Sequence, residues 1–115
     1  MKYRRIYQTL DQYGAKIAYD GSGWRYAGVT HTYSHQIRPL WVVAEAEKVR
    51  LRLWISHEAG RLSVTTANLT LPTDSWEYHQ SQTHRDFRTQ VELAEYLEML
   101  LGEPSREAPD MRRGA

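Results

Sequence analysis

The sequence predicts an α+β fold: an antiparallel sheet of about five strands, joined as a meander, packed against an N-terminal and a C-terminal helix. Three observations predict it. Apolar residues recur with helical spacing at both ends of residues 1–102, several runs between them alternate apolar and polar residues, and short glycine-bearing turns join those runs. Residues 1–102 read as a single domain, and residues 103–115, with two prolines and a final Met-Arg-Arg-Gly-Ala, as a polar C-terminal tail.

The elements follow in order. Tyr3, Ile6, Tyr7, Leu10 and Tyr13 line one side of a helix over residues 2–13, and Gly14 stands where a left-handed terminator is expected. Residues 15–19 and 24–29 are short aromatic and β-branched runs around Asp20-Gly21-Ser22-Gly23, the pattern of a β-hairpin; Ile17 and Tyr19 are expected on one side of the first strand. Residues 30–39 are polar, carry His31 and His35 and end at Pro39, so a loop is expected there.

Residues 40–45 form a strand, and residues 49–55 the clearest one. Val49, Leu51, Leu53 and Ile55 point to one side of it, Arg50, Arg52 and Trp54 to the other. A three-residue loop with a bulge, glycine at Gly60, returns the chain along residues 62–67, with Ile55 opposite Leu62, Leu53 opposite Val64 and Leu51 opposite Thr66. Residues 72–85 read as an irregular polar stretch anchored by Trp76 and Tyr78. Asp86 or Thr83 is then expected to cap a helix over residues 87–101, with Phe87, Val91, Ala94, Leu97, Leu100 and Leu101 inward, Glu92, Glu95 and Glu98 outward, and Gly102 as its end.

Composition narrows the classes. With 41% hydrophobic and 25% charged residues the chain has the usage of a folded domain, not of a disordered one. There are no cysteines, which excludes disulfides, thiolate metal sites and a cysteine nucleophile. Met1 to Leu10 begins basic but lacks the apolar run of a secretion signal, and nowhere do about 18 apolar residues run together. A cytoplasmic location and no membrane partner are therefore expected. Ten Lys/Arg oppose five Asp/Glu in residues 1–61 and five oppose nine in residues 62–115, which recovers the net +1. That split suits a basic sheet and an acidic helix on one body better than a dedicated nucleic-acid domain, which is usually far more basic.

Motifs for chemistry are sparse. His31 and His35 are four apart in a proline-terminated polar stretch, without an acidic residue between them, and His79 and His84 fall in a second polar stretch. A catalytic zinc needs three converging ligands, so these read as surface or hydrogen-bonded histidines and no metal or other cofactor is expected. No serine sits in a G-x-S-x-G elbow. Asp20-Gly21-Ser22-Gly23 precedes a strand, not a helix, and so lacks a phosphate cradle. Tyr13-Gly14 closing a helix, followed by Gly21-Ser22-Gly23-Trp24-Arg25, resembles the small double-stranded-RNA-binding-like toxins of toxin–antitoxin pairs. The histidine that such toxins carry after Gly-Ser is replaced here by Gly23 and Trp24, and no activity carries over.

The most informative feature is a sheet surface. Arg50, Arg52 and Trp54 project from one strand beside Ser63 and Thr65, and Lys16, Trp24, Arg25 and Tyr26 belong to the first hairpin. With His31, Tyr33 and His35 of the following loop they form the candidate binding set. Trp, Tyr and Arg dominate protein–protein hot spots, and rings interleaved with guanidinium groups also suit single-stranded nucleic acid. The expectation is a non-enzymatic module that binds a protein partner as an adaptor, inhibitor or immunity-type protein, with RNA or single-stranded DNA as the alternative ligand.

Overall fold

The computed structural model describes residues 2–23 and 39–102. The order is α1 (Arg4–Gln12), β1 (Ala15–Asp20), β2 (Leu40–Ala46), β3 (Leu51–Glu58), β4 (Arg61–Asn68), α2 (Trp76–Gln80), β5 (Thr83–Phe87) and α3 (Gln90–Leu101). The strands form one antiparallel sheet in the order β1-β2-β3-β4-β5, the meander expected, and α1 and α3 pack together on one side of it. Among the described residues, no helix is long and apolar enough to cross a membrane.

Alternation dictates the core. Leu40, Val42, Ala44 and Ala46 of β2, Leu53 and Ile55 of β3, and Leu62 and Val64 of β4 are buried. They meet Tyr3 at the N-cap of α1, Ile6 and Leu10 within it, and Leu93, Leu97 and Leu101 of α3. Helix α1 stops at Tyr13, where Gly14 takes φ +81° as expected. On the inner side of α3 the buried residues are Leu93, Ala94, Leu97 and Leu101. Val91, expected inward, is 49% exposed, because Leu93 holds the position against the sheet.

The central hairpin departs from expectation in register. Glu58 pairs with Arg61, leaving only Ala59 and Gly60 in the loop, with φ of +52° and +78°. Two successive positive φ angles mark a two-residue type I′ turn, whose twist matches the strands, so the expected three-residue bulged loop is not formed. Ile55 therefore faces Val64 and Leu53 faces Thr66, two residues from the expected partners. A shift of two keeps every side chain on its own side, so the apolar sides still coincide.

Two further elements lie in residues 72–85 and beyond. Ser75 caps α2, its Oγ accepting from the Tyr78 N–H at 3.1 Å. Thr83–Phe87 is an edge strand and not a helix start, with Ser63 opposite Asp86 and Thr65 opposite His84. The cap of α3 is Thr89, whose Oγ1 accepts from the Glu92 N–H at 3.1 Å, while Glu92 accepts from the Arg88 N–H. Asp86 is thus a strand residue and caps nothing. The expected strand 24–29 and loop 30–39 lie outside the described residues except for Pro39.

Candidate functional site

The side of the sheet away from α1 and α3 carries the candidate site. Its rows follow from the strand registers. Lys16, Glu45, Arg52 and Ala67 stand side by side across β1 to β4. Tyr19, Val43, Trp54, Thr65 and His84 form the next row, across all five strands. Trp41, Ser56, Ser63 and Asp86 form the third.

A bulge sets the β1 end of these rows. Ile17 pairs with Ala44 and Tyr19 with Val43, so Ala18 is the extra residue and parity reverses beyond it. Ile17 and Tyr19 therefore point to opposite sides, not to one side as alternation alone predicts. Tyr19 joins Lys16 on the open face at 57% exposure, while Asp20 turns to the helix side and accepts from Tyr7 Oη at 2.7 Å. Gly21 lies beneath the rings: a Cβ there would sit 2.8 Å from Tyr19 Cε2 and 3.0 Å from Trp41 Cδ1. Its missing side chain lets both rings close over the backbone. Ser22, fully buried, fixes this end through a 2.8 Å bond from the Trp41 N–H to its Oγ.

Arg52 and Trp54 stand on the open face as their strand positions require. The guanidinium of Arg52 is engaged: Nε and Nη2 reach Glu45 Oε2 at 3.1 and 2.9 Å, Nη1 donates to Tyr78 Oη at 3.1 Å, and the group lies 5.9 Å from the Trp54 ring. Tyr78 is buried, so α2 closes this end of the face. Arg50 does not belong to the set as expected. It occupies the turn before β3 with φ +55°, and its side chain reaches the Leu69 carbonyl instead of projecting beside Arg52. Trp24, Arg25, Tyr26, His31, Tyr33 and His35 lie outside the described residues.

At the β5 end stands a chain of polar groups that sequence reasoning missed. Thr65 Oγ1 and His84 Nδ1 are 2.9 Å apart, His84 Nε2 lies 2.9 Å from Asp86 Oδ1, and Ser63 Oγ donates to the same oxygen at 2.7 Å. Arg61 Nη1 approaches Asp86 Oδ2 at 3.7 Å. The Ser63 hydrogen bond is the main cause of an Asp86 pKa below the usual carboxylate value; partial desolvation opposes it, and His84 and Arg61 reinforce it. The only sequence signal for this group is the i, i+2 spacing of His84 and Asp86, which becomes informative once residues 83–87 are known to be a strand.

A hydroxyl, an imidazole and a carboxylate in line are the parts of a nucleophilic relay. Acyl transfer also needs free donors for the oxyanion. Thr65 sits inside a strand paired on both sides, with Trp54 and His84 as its partners, so the backbone around it serves the sheet ladder. The group is built to hold an imidazole in a fixed pose on an exposed surface. Among the described residues, no three His, Asp or Glu side chains converge as a metal site would require.

Comparison with family models, with curated proteins and with solved structures finds no match to this chain.

Proposed function

We propose that the chain is a non-enzymatic binding module and that its open sheet face engages another protein. One observation carries the choice of partner: Arg52, the guanidinium beside Trp54 on this face, is neutralised. Arg52 is held by Glu45 and Tyr78, and Asp86 adds a second carboxylate at the far end. Nucleic-acid binding needs cations that reach phosphate; here Arg52 is tied to Glu45, and Tyr19, Val43 and Trp54 form one row beside that pair, with Lys16 at its margin. Aromatic side chains flanked by satisfied polar groups are the anatomy of a protein interface. The expected role is that of an adaptor, inhibitor or immunity-type protein.

The test compares the wild type with a Tyr19→Ser/Trp54→Ser double variant in affinity capture from extracts of the source cells. Protein and nucleic acid are both identified in the captured material. A protein retained by the wild type, nuclease-resistant and lost with the double variant supports the reading. Capture that nuclease abolishes transfers the face to the nucleic-acid alternative, and capture indifferent to both substitutions removes the face from the interaction.

A further inference from the structure

The outer edge of β5 and the start of α3 have a different character from the open face. We infer that they form a second docking site, whose occupant is an extended, carboxylate-bearing segment of a partner protein. Strand β5 is the last of the sheet and pairs only with β4 among the described residues. A sheet edge is a template for an added strand, because its outward N–H and C=O groups await partners. Beside this edge runs a shallow groove lined by Arg85, Asp86, Phe87, Arg88 and Glu92.

The charges of that groove are unequally satisfied. Asp86 is held on the open face by Ser63, His84 and Arg61. Glu92 accepts from the Arg88 N–H at 3.1 Å. The arginines have no such answer: among the described residues no carboxylate pairs with Arg85 or Arg88. Arg85 is positioned all the same, its guanidinium 4.9 Å from the Tyr96 ring centre and 5.7 Å from that of Phe87. Stacking on two rings fixes a guanidinium without neutralising it, which leaves its fork oriented for a carboxylate. A strand added along β5 would bring its own side chains to Arg85 and Arg88 while its backbone met the edge.

A nucleic acid fits this place less well. Arg85 lies over the Phe87 and Tyr96 rings, which leaves them less open to stack a base, while its fork suits the planar geometry of a carboxylate. The competing structural role is protective, since charged side chains on an edge strand deter strand addition. The two roles predict opposite results with a peptide.

The experiment titrates the isotope-labelled protein with three probes and follows backbone amide shifts. The probes are a blocked hexapeptide alternating valine and glutamate, its valine–lysine counterpart, and a hexauridylate. The valine–glutamate peptide is expected to shift the amides of residues 83–88 and to bind about tenfold more weakly to Arg85→Gln and to Arg88→Gln. Arg88→Gln is the safer variant, because the exposed Arg88 side chain makes no hydrogen bond, ion pair or ring contact among the described residues. Tyr19→Ser/Trp54→Ser should bind this peptide like the wild type, which separates the edge from the open face. Absence of shifts, equal shifts with the valine–lysine peptide, or unchanged binding by Arg88→Gln would each overturn the inference. Tighter binding of the hexauridylate would overturn it in favour of nucleic acid.

Discussion

One strand shows both environments of this protein. On the helix side of β3, Leu53 and Ile55 are entirely buried beneath α1 and α3. On the other side of the same strand, Arg52 and Trp54 keep part of their surface in water. The backbone is common to both, so the difference lies in what covers each side. The helix side is closed mainly by apolar packing, with the Tyr3–His57 and Tyr7–Asp20 hydrogen bonds at its margin. The open side is organised by discrete polar contacts: Arg52 with Glu45 and Tyr78 at one end, Thr65, His84, Asp86 and Ser63 at the other. Stability therefore belongs mostly to one side of the sheet, and the proposed protein contact is placed on the other.

The largest expected effect tests the buried side. Leu53→Ala should remove about 2–5 kcal/mol of stability, because the lost transfer energy is joined by a cavity that the rigid sheet cannot close. Urea denaturation at neutral pH measures it. A loss well under 1 kcal/mol would mean that the two sides of the sheet are not distinct as described.

Arg52→Ala, one residue away, should cost about 1 kcal/mol. The Arg52 and Glu45 side chains retain 28% and 41% of their exposure, so water screens most of the attraction between them. What is lost is the hydrogen bond to Tyr78 and some packing over Trp54. The same denaturation series reads it, and a loss as large as that of Leu53→Ala would erase the contrast between the two sides.

The legibility of the sequence divides along the same line. Wherever one side of an element is apolar, the pattern is visible: the alternation of β2, β3 and β4 and the helical spacing of Tyr3, Ile6 and Leu10 all identify buried residues. Strand β5 has no such contrast. Its residues, Thr83, His84, Arg85, Asp86 and Phe87, are nearly all exposed, as an edge strand's are, and only Phe87 is apolar. Periodicity has nothing to detect there, so half of the open-face polar chain stays hidden with it. Local backbone events are equally silent. The bulge at Ala18 reverses Tyr19, the positive φ of Arg50 removes it from the strand, and the shorter turn at Ala59-Gly60 moves the partners of β3 by two. Each is a one-residue choice that side-chain chemistry tolerates without advertising it.

Titration sharpens the comparison, since both sides of the sheet hold perturbed groups. On the helix side, Tyr3 Oη lies 2.6 Å from His57 Nδ1, with the rings edge to face. Burial, followed by the charge of Lys2, holds the His57 pKa below the ordinary imidazole value. Above about pH 6.5 the imidazole is neutral in both states and its contribution to stability is complete. As the pH falls from there, the unfolded chain takes up the proton first, and stability declines until the folded protein is protonated too. Urea midpoints between pH 7.5 and pH 5 should fall for the wild type. The fall should shrink in a His57→Gln variant, and an equal fall in both would assign the slope to other groups.

The open side supplies the smallest effect and the reverse charge type. Asp86 titrates below the ordinary carboxylate value, chiefly because Ser63 donates to it, with His84 and Arg61 in support. A carboxylate with a lowered folded pKa stabilises the fold at every pH above its unfolded value, about 3.9, and loses that contribution as the pH drops through the folded one. The carboxylate is exposed, so the effect on stability is slight and the local geometry is the better readout. Ser63→Ala removes the main cause of the shift while leaving His84 and Arg61 in place. The Asp86 side-chain carbon resonance, followed by NMR from pH 6 to pH 2, should titrate at a lower pH in the wild type than in Ser63→Ala. Coincident titration curves would mean that the hydroxyl does not hold the carboxylate, and the fixed pose of His84 at this end of the face would lose its support.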